Sequence, residues 1–134
     1  VLVLAAFGVL GWRMLRDRLA RVEVAYDEGL RARGRPGLSV LELSRLGDVP
    51  HASVCSGRGR CGTCRVRVLA GADRLSPATD AEHATLRRVG AGADERLGCQ
   101  ARVLGSGVEV ARVLPSYADA SAARAPAEWA EDAA

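Results

Sequence analysis

The stretch Cys55-Ser56-Gly57-Arg58-Gly59-Arg60-Cys61-Gly62-Thr63-Cys64 sets three cysteines within ten residues, and a fourth, Cys99, follows after a gap of thirty-four. The spacing is C-x5-C-x2-C, with one distant partner. Gly57, Gly59 and Gly62 lie between the cysteines. They permit the backbone angles and close approaches that a loop needs to wrap a compact object. They also leave amide N–H groups free to point at sulfur.

Three thiolates on one glycine-rich loop, joined by one from a distant strand, is how proteins hold a two-iron, two-sulfide cluster. Cys55, Cys61, Cys64 and Cys99 are therefore the candidate metal ligands, two to each iron. Such a cluster with four thiolates is an anion, and one-electron reduction deepens its negative charge. N–H and hydroxyl donors, with Ser56 and Thr63 as candidates, raise the potential by stabilising the reduced state. Arg58, Arg60, Arg65 and Arg67 flank the ligands and are placed to offset the anion.

Two other uses of four cysteines remain open at this point. Paired disulfides need an oxidising compartment. A structural zinc site, making this an interaction module without redox activity, usually pairs two C-x2-C knuckles, and only one is present. His51, four residues before Cys55, is a candidate for coupling a proton to reduction, or else a plain loop histidine. His83 reads as a surface residue. No Ser/His/Asp set, phosphate loop or paired catalytic carboxylates stand out, so no catalytic residue is assigned.

The 134 residues fit one small domain with appendages. Hydrophobic residues make up 49%, yet no Phe, Trp or Tyr occurs between Asp27 and Ser116. A core so restricted to aliphatic side chains gains from a bound metal centre. All 19 basic residues are Arg, and Lys, Asn and Ile are absent. That pattern reads as genomic base bias rather than function. The net charge of +3 is mild, and without an aromatic face the domain is a poor nucleic-acid binder.

Val1 to Trp12 carries no charge, and Arg13, Arg16, Arg18 and Arg21 come directly after it. Residues 1–15 thus read as the inner end of a transmembrane helix, shorter than the roughly 20 residues a full span needs. The arginines place the downstream chain on the cytoplasmic side of the inner membrane. Residues 16–35 read as a basic juxtamembrane segment, in which Val22-Glu23-Val24-Ala25-Tyr26 alternates as a strand and Asp27-Glu28-Gly29 turns it into a first hairpin. Residues 36–115 form the cysteine-bearing domain. Residues 116–134, Ala-rich and acidic, read as a linker toward a further domain.

Within the domain, Ser39-Val40-Leu41-Glu42 is a capping box opening a short helix that ends near Gly47. Thr79-Asp80-Ala81-Glu82 is a second, opening a helix to about Val89. Cys64-Arg65-Val66-Arg67-Val68 alternates as a strand. Leu97 to Val103 and Val108 to Val113 read as two more, joined at Gly105-Ser106-Gly107. The expected fold is α+β: a small mixed sheet with one or two short helices.

Residues 37–115 resemble the 2Fe–2S ferredoxin family with its β-grasp fold. The resemblance rests on Gly37-Leu38-Ser39-Val40-Leu41-Glu42, on Cys55, on Cys61-Gly62-Thr63-Cys64-Arg65-Val66, and on Leu97-Gly98-Cys99-Gln100. It implies a 2Fe–2S cluster on the same four cysteines, one-electron transfer, and a redox partner protein. The five-residue first gap is similar to the adrenodoxin-like branch. That branch typically meets partners with acidic surface, whereas this chain reads Glu82-His83-Ala84-Thr85-Leu86-Arg87-Arg88. The layout of apolar segment, ferredoxin module and acidic tail also resembles bacterial class III adenylate/guanylate cyclases with a ferredoxin-like domain. It implies an attached cyclase domain as the regulated partner.

Overall fold

The computed structural model describes residues 2–119 and 121–124. An N-terminal helix α1 (Leu2–Leu19) precedes strands β1 (Val22–Tyr26) and β2 (Arg31–Gly34), helix α2 (Val40–Leu46), strand β3 (Arg65–Ala70), helix α3 (Asp80–Arg88), and strands β4 (Glu95–Leu97) and β5 (Val108–Arg112). The five strands form one mixed sheet in the order β2-β1-β5-β3-β4. Only β1 and β5 run parallel; the other neighbours are antiparallel. This is the expected α+β architecture, and the hairpin within residues 16–35 supplies two of its strands.

The sheet follows from alternation. Val22, Val24 and Tyr26 of β1 are buried, as are Val108 and Val110 of β5, while the residues between them are more exposed. They pack against Val40 and Leu43 of α2 and against Val49, Val66, Leu75, Ala101 and Val103. Each such aliphatic side chain contributes about 1.5–3 kcal/mol on burial. A second, smaller cluster lies at the other end of the sheet, where Cys64, Leu86 of α3 and Leu97 of β4 meet, with Ala91 and Cys99 against them.

Helix α2 is capped as its sequence predicts. The Ser39 hydroxyl accepts from the Glu42 N–H, and the Glu42 carboxylate accepts from the Ser39 N–H. At α3 only half of the second box forms. Thr79 accepts from the Glu82 N–H, but the Glu82 side chain turns inward, 1% exposed, to Arg96 and the Leu97 N–H. A half-buried guanidinium competes for that carboxylate more strongly than a backbone N–H does.

The strand expected over 97–103 does not form there; β4 spans Glu95–Leu97 and shares only Leu97 with that range. β4 stops at Leu97, because the N–H groups of Gln100 and Ala101 both turn back to the Leu97 carbonyl. Cys99 therefore sits in a turn and not on a strand. Arg102 and Val103 make only isolated bridges, to Ser39 and Leu75.

Helix α1 leaves its apolar side chains in the open: Leu2, Phe7 and Trp12 are 87%, 69% and 68% exposed. Among the described residues no helix is long and apolar enough to cross a membrane. Past the sheet, Ala118 and Ala123 are buried against the domain. The rest of the Ala-rich tail, 125–134, lies outside the described residues, as does Val1.

Candidate metal centre

The loop 55–64 bulges between α2 and the end of α3, and the turn 98–100 closes on it from the sheet. Two helix starts and ends fix it. The first N–H groups of α2, on Val40 and Leu41, donate to the carbonyls of Ala101 and Gly98, at 3.0 and 2.9 Å, and so pin the Cys99 turn. From α3, the Thr85 hydroxyl donates to the Gly59 carbonyl at 2.7 Å, and Arg88 donates to the Arg60 carbonyl.

Gly98 allows the closest approach. Its N–H donates to the Cys64 carbonyl at 3.0 Å, and a Cβ there would lie 2.7 Å from that oxygen. No side chain fits, so glycine brings Cys99 beside Cys64. Gly59, at φ +69°, faces the Gln100 amide so closely that a Cβ would come within 2.9 Å of its nitrogen. Ser56 is left-handed without being glycine, at φ 56°, a strain typical of backbone held for function.

All four sequence-predicted cysteines are free thiols on the 55–64 loop and the 98–100 turn that closes on it. Cys55 lies near enough to Cys61, and Cys64 to Cys99, for each neighbour to shift the thiol's titration. The Cys99 N–H also points at the Cys64 sulfur, at 3.4 Å. Thr63 is fully buried with its hydroxyl 3.0 Å from the Cys61 sulfur, whereas Ser56, the other predicted hydroxyl donor, is exposed and makes no side-chain contact to sulfur.

The surroundings favour thiolate at two of the four. Burial pushes the Cys55 thiol up, but the N–H groups of Arg60, Cys61 and Arg58 and the Cys61 thiol more than compensate, bringing it to about 7. Cys99 falls to about 6, chiefly through the hydrogen bond from Cys64, against burial and helped by the Gln100 amide and the Gly59 N–H. Cys64 is pushed up, first by giving that proton to Cys99 and then by burial. Between these two sulfurs the proton is therefore favoured on Cys64 and the thiolate on Cys99. A cationic metal centre removes both protons.

These features fit a two-iron cluster. Backbone N–H groups of Thr63 and Cys99 aim at sulfur, and the loop is tight at Gly59 and Gly62, where a Cβ would come within 2.9 Å of a neighbour. Among the described residues, no set of three or more His, Cys, Asp or Glu side chains is arranged to hold a single metal ion.

Not all predicted neighbours serve the anion. Arg58 and Arg60 are exposed on the loop. Arg65 is instead buried, 6% exposed, with Glu95 at 3.3 Å and the carbonyls of Gly62, Val89 and Ala123 around it. Arg67 pairs with Asp94 and Glu95. Strand alternation places Arg65 on the solvent side, and nothing local marks it as buried. The Glu95 thirty residues later is the missing signal.

His51 is also structural in its contacts. Its Nε2 donates to the Cys64 carbonyl at 3.0 Å, leaving Nδ1 to accept from the Ser44 hydroxyl at 2.8 Å. Burial lowers its pKa and keeps it neutral. His83 is exposed on α3.

Sheet, loop and thiol pairs together define a small redox-metal domain. Residues 25–104 match the 2Fe-2S iron-sulfur cluster binding domain, and the chain belongs to that family. It is 41% identical over 78 residues to 2Fe-2S ferredoxin-5 of Aquifex aeolicus, a match spanning 58% of this chain and 80% of that one. It is 38% identical over 73 residues to chlorosome protein I of Chlorobaculum tepidum, spanning 53% of this chain and 29% of the relative. Among solved structures, the ISC-like [2Fe-2S] ferredoxin of Pseudomonas putida superposes with a TM-score of 0.61 at 31% identity, covering 72% of this chain and 94% of the other. The cofactor is a 2Fe–2S cluster and the chemistry is ferredoxin-type electron transfer. The adenylate cyclase context has no counterpart in these relatives.

Proposed function

We propose that Cys55, Cys61, Cys64 and Cys99 ligate the cluster, Cys55 and Cys61 on one iron and Cys64 and Cys99 on the other, and that the domain carries one electron between two partner proteins. The observation behind the ligand assignment is the meeting of the 55–64 loop with the 98–100 turn, where the Gly98 N–H donates to the Cys64 carbonyl and the Cys99 N–H points at the Cys64 sulfur. Anaerobic purification should give a red-brown protein with iron and acid-labile sulfide in equal amounts. Dithionite should then produce the EPR signal of a one-electron-reduced cluster. Cys99→Ala should lose the colour and the signal together. A colourless protein carrying zinc would instead mean a structural module without redox activity.

The finer reading is that the domain is tethered at the inner membrane, facing the cytoplasm, and that cluster state regulates an attached nucleotide cyclase. Its support is the apolar run to Trp12 and the arginines behind it, the open apolar surface of α1, and the layout resemblance. Fractionation of the native host cell tests the first part: recovery in the soluble fraction would reject the tether. The cyclase link predicts that nucleotide cyclisation by the native protein changes when dithionite reduces the cluster.

A further inference from the structure

Five arginines surround the mouth of the cysteine loop. Arg58 and Arg60 stand exposed on the loop itself, and Arg88 reaches across from the last turn of α3 to the Arg60 carbonyl. On the other side, a groove of about 510 Å³ opens beside the loop and is lined by Gly57, Cys99 and Gln100 together with Glu42, Arg45 and Arg102. Among the described residues, none of the five is ion-paired with a carboxylate.

Two of the nearby acids are occupied elsewhere. Glu82, which sequence places on α3, is buried on Arg96, and Glu95 is buried on Arg65. Glu42 caps α2 with one oxygen and is the single acid in the groove. Asp80 is exposed, at the opposite end of α3 from Arg88. The surface around the cysteine loop is therefore a cationic one, with an excess of guanidinium groups that no carboxylate among the described residues pairs.

We propose that this face docks an acidic protein surface on the redox partner, with Arg45, Arg58, Arg60, Arg88 and Arg102 as the contacting charges. The inference rests on the electron-carrier reading above and names the partner's chemistry. Opposite charges steer encounter and align the partner over the loop, and guanidinium groups suit bidentate carboxylate contacts. Against five guanidinium charges stand Glu42 and the whole negative charge of the reduced cluster, roughly three units with four thiolates, so the face keeps a small positive excess in the reduced protein.

Two redox-inert paramagnetic probes test it on the wild-type holoprotein by NMR. Hexacyanochromate(III) should broaden amides around Arg45–Gly47, Arg88–Gly90 and Arg102 selectively, and hexaamminechromium(III) should not. Oxidation of the reduced protein by hexacyanoferrate(III) should slow about tenfold as ionic strength rises from about 0.01 to about 0.1 M. In Arg45→Glu/Arg58→Glu it should start several-fold slower and lose that salt dependence. Preferential broadening by the cation, or an anion effect confined to Arg13–Arg21, overturns the docking face. A colourless protein without the reduced EPR signal overturns the electron-carrier reading on which it rests, whatever the probes do.

Discussion

Arg60 and Arg65 flank the same cysteines, yet the fold uses their charges differently. Arg65 is enclosed by three carbonyls and Glu95, so its charge is spent on holding the chain together. Arg60 is exposed, and its guanidinium makes no ion pair among the described residues. Its charge is free to act on the cluster. Reduction adds negative charge, so a nearby cation stabilises the reduced form more than the oxidised one. Arg60→Ala should therefore lower the midpoint potential, by on the order of 10–40 mV for one exposed charge. Protein-film voltammetry measures this directly. An unchanged potential would mean that solvent screens Arg60 completely, and a higher one would overturn the assigned role.

The elements carry their own lesson at the hairpin between β1 and β2. Its turn puts Asp27 against Arg112 of β5, with bonds of 3.0 and 3.2 Å from the guanidinium and 3.1 Å from the Arg112 N–H. Burial would raise the Asp27 carboxyl, but those bonds outweigh it and hold it below its ordinary value of 3.8. A carboxyl depressed in the fold stabilises it above the unfolded value, and that contribution disappears as pH falls through the folded one. Urea midpoints of the wild type should therefore drop below about pH 4. Asp27→Asn should be weaker at pH 7, by at most about 1 kcal/mol, and lose less on acidification. Equal acid loss in both proteins would assign the effect to other carboxylates. The sequence made this hairpin legible, because alternation and a Gly-bearing turn are local signals. It also made legible the capped start of α2 and the four cysteines, whose residue types are costly to place without a purpose. What it hid was long-range. Glu82 leaves its cap for Arg96, fourteen residues away, and Cys99 sits in a turn because α2 grips the carbonyls of Gly98 and Ala101. No periodicity links Glu82 to Arg96, and α2 lies about sixty residues from the carbonyls it grips.

Across the whole molecule, two cores of unequal strength meet at the metal centre. The larger unites α2 with most of the sheet. The smaller has only Cys64, Leu86 and Leu97 fully in it, and two of the five side chains at that site are cysteines. Extracting iron with a chelator under reducing conditions should therefore loosen α3 and the loop first and lower Tm by about 10 °C or more. A chelated protein with unchanged Tm would show that the sheet is self-sufficient. What ties this weaker end to the rest is Arg65. Its guanidinium spans the loop at Gly62, the end of α3 at Val89, β4 at Glu95 and the C-terminal segment at Ala123, where the carbonyl accepts at 3.2 Å. Ala123 is completely buried, so that segment is held by one guanidinium and a small apolar contact. Arg65→Met keeps much of the side-chain volume but removes these donor contacts and leaves Glu95 buried with only Arg67 as a cation. Breaking such a buried pair costs about 3 kcal/mol. Hydrogen exchange should show more than a general loss: the amides of Ala118 and Ala123 should open in the variant well before those of Val66 and Val110. Uniform loss across all four would mean that Arg65 supports the core alone. Selective opening would show that the residue beside the metal loop also fastens the stretch of chain leading away from the domain.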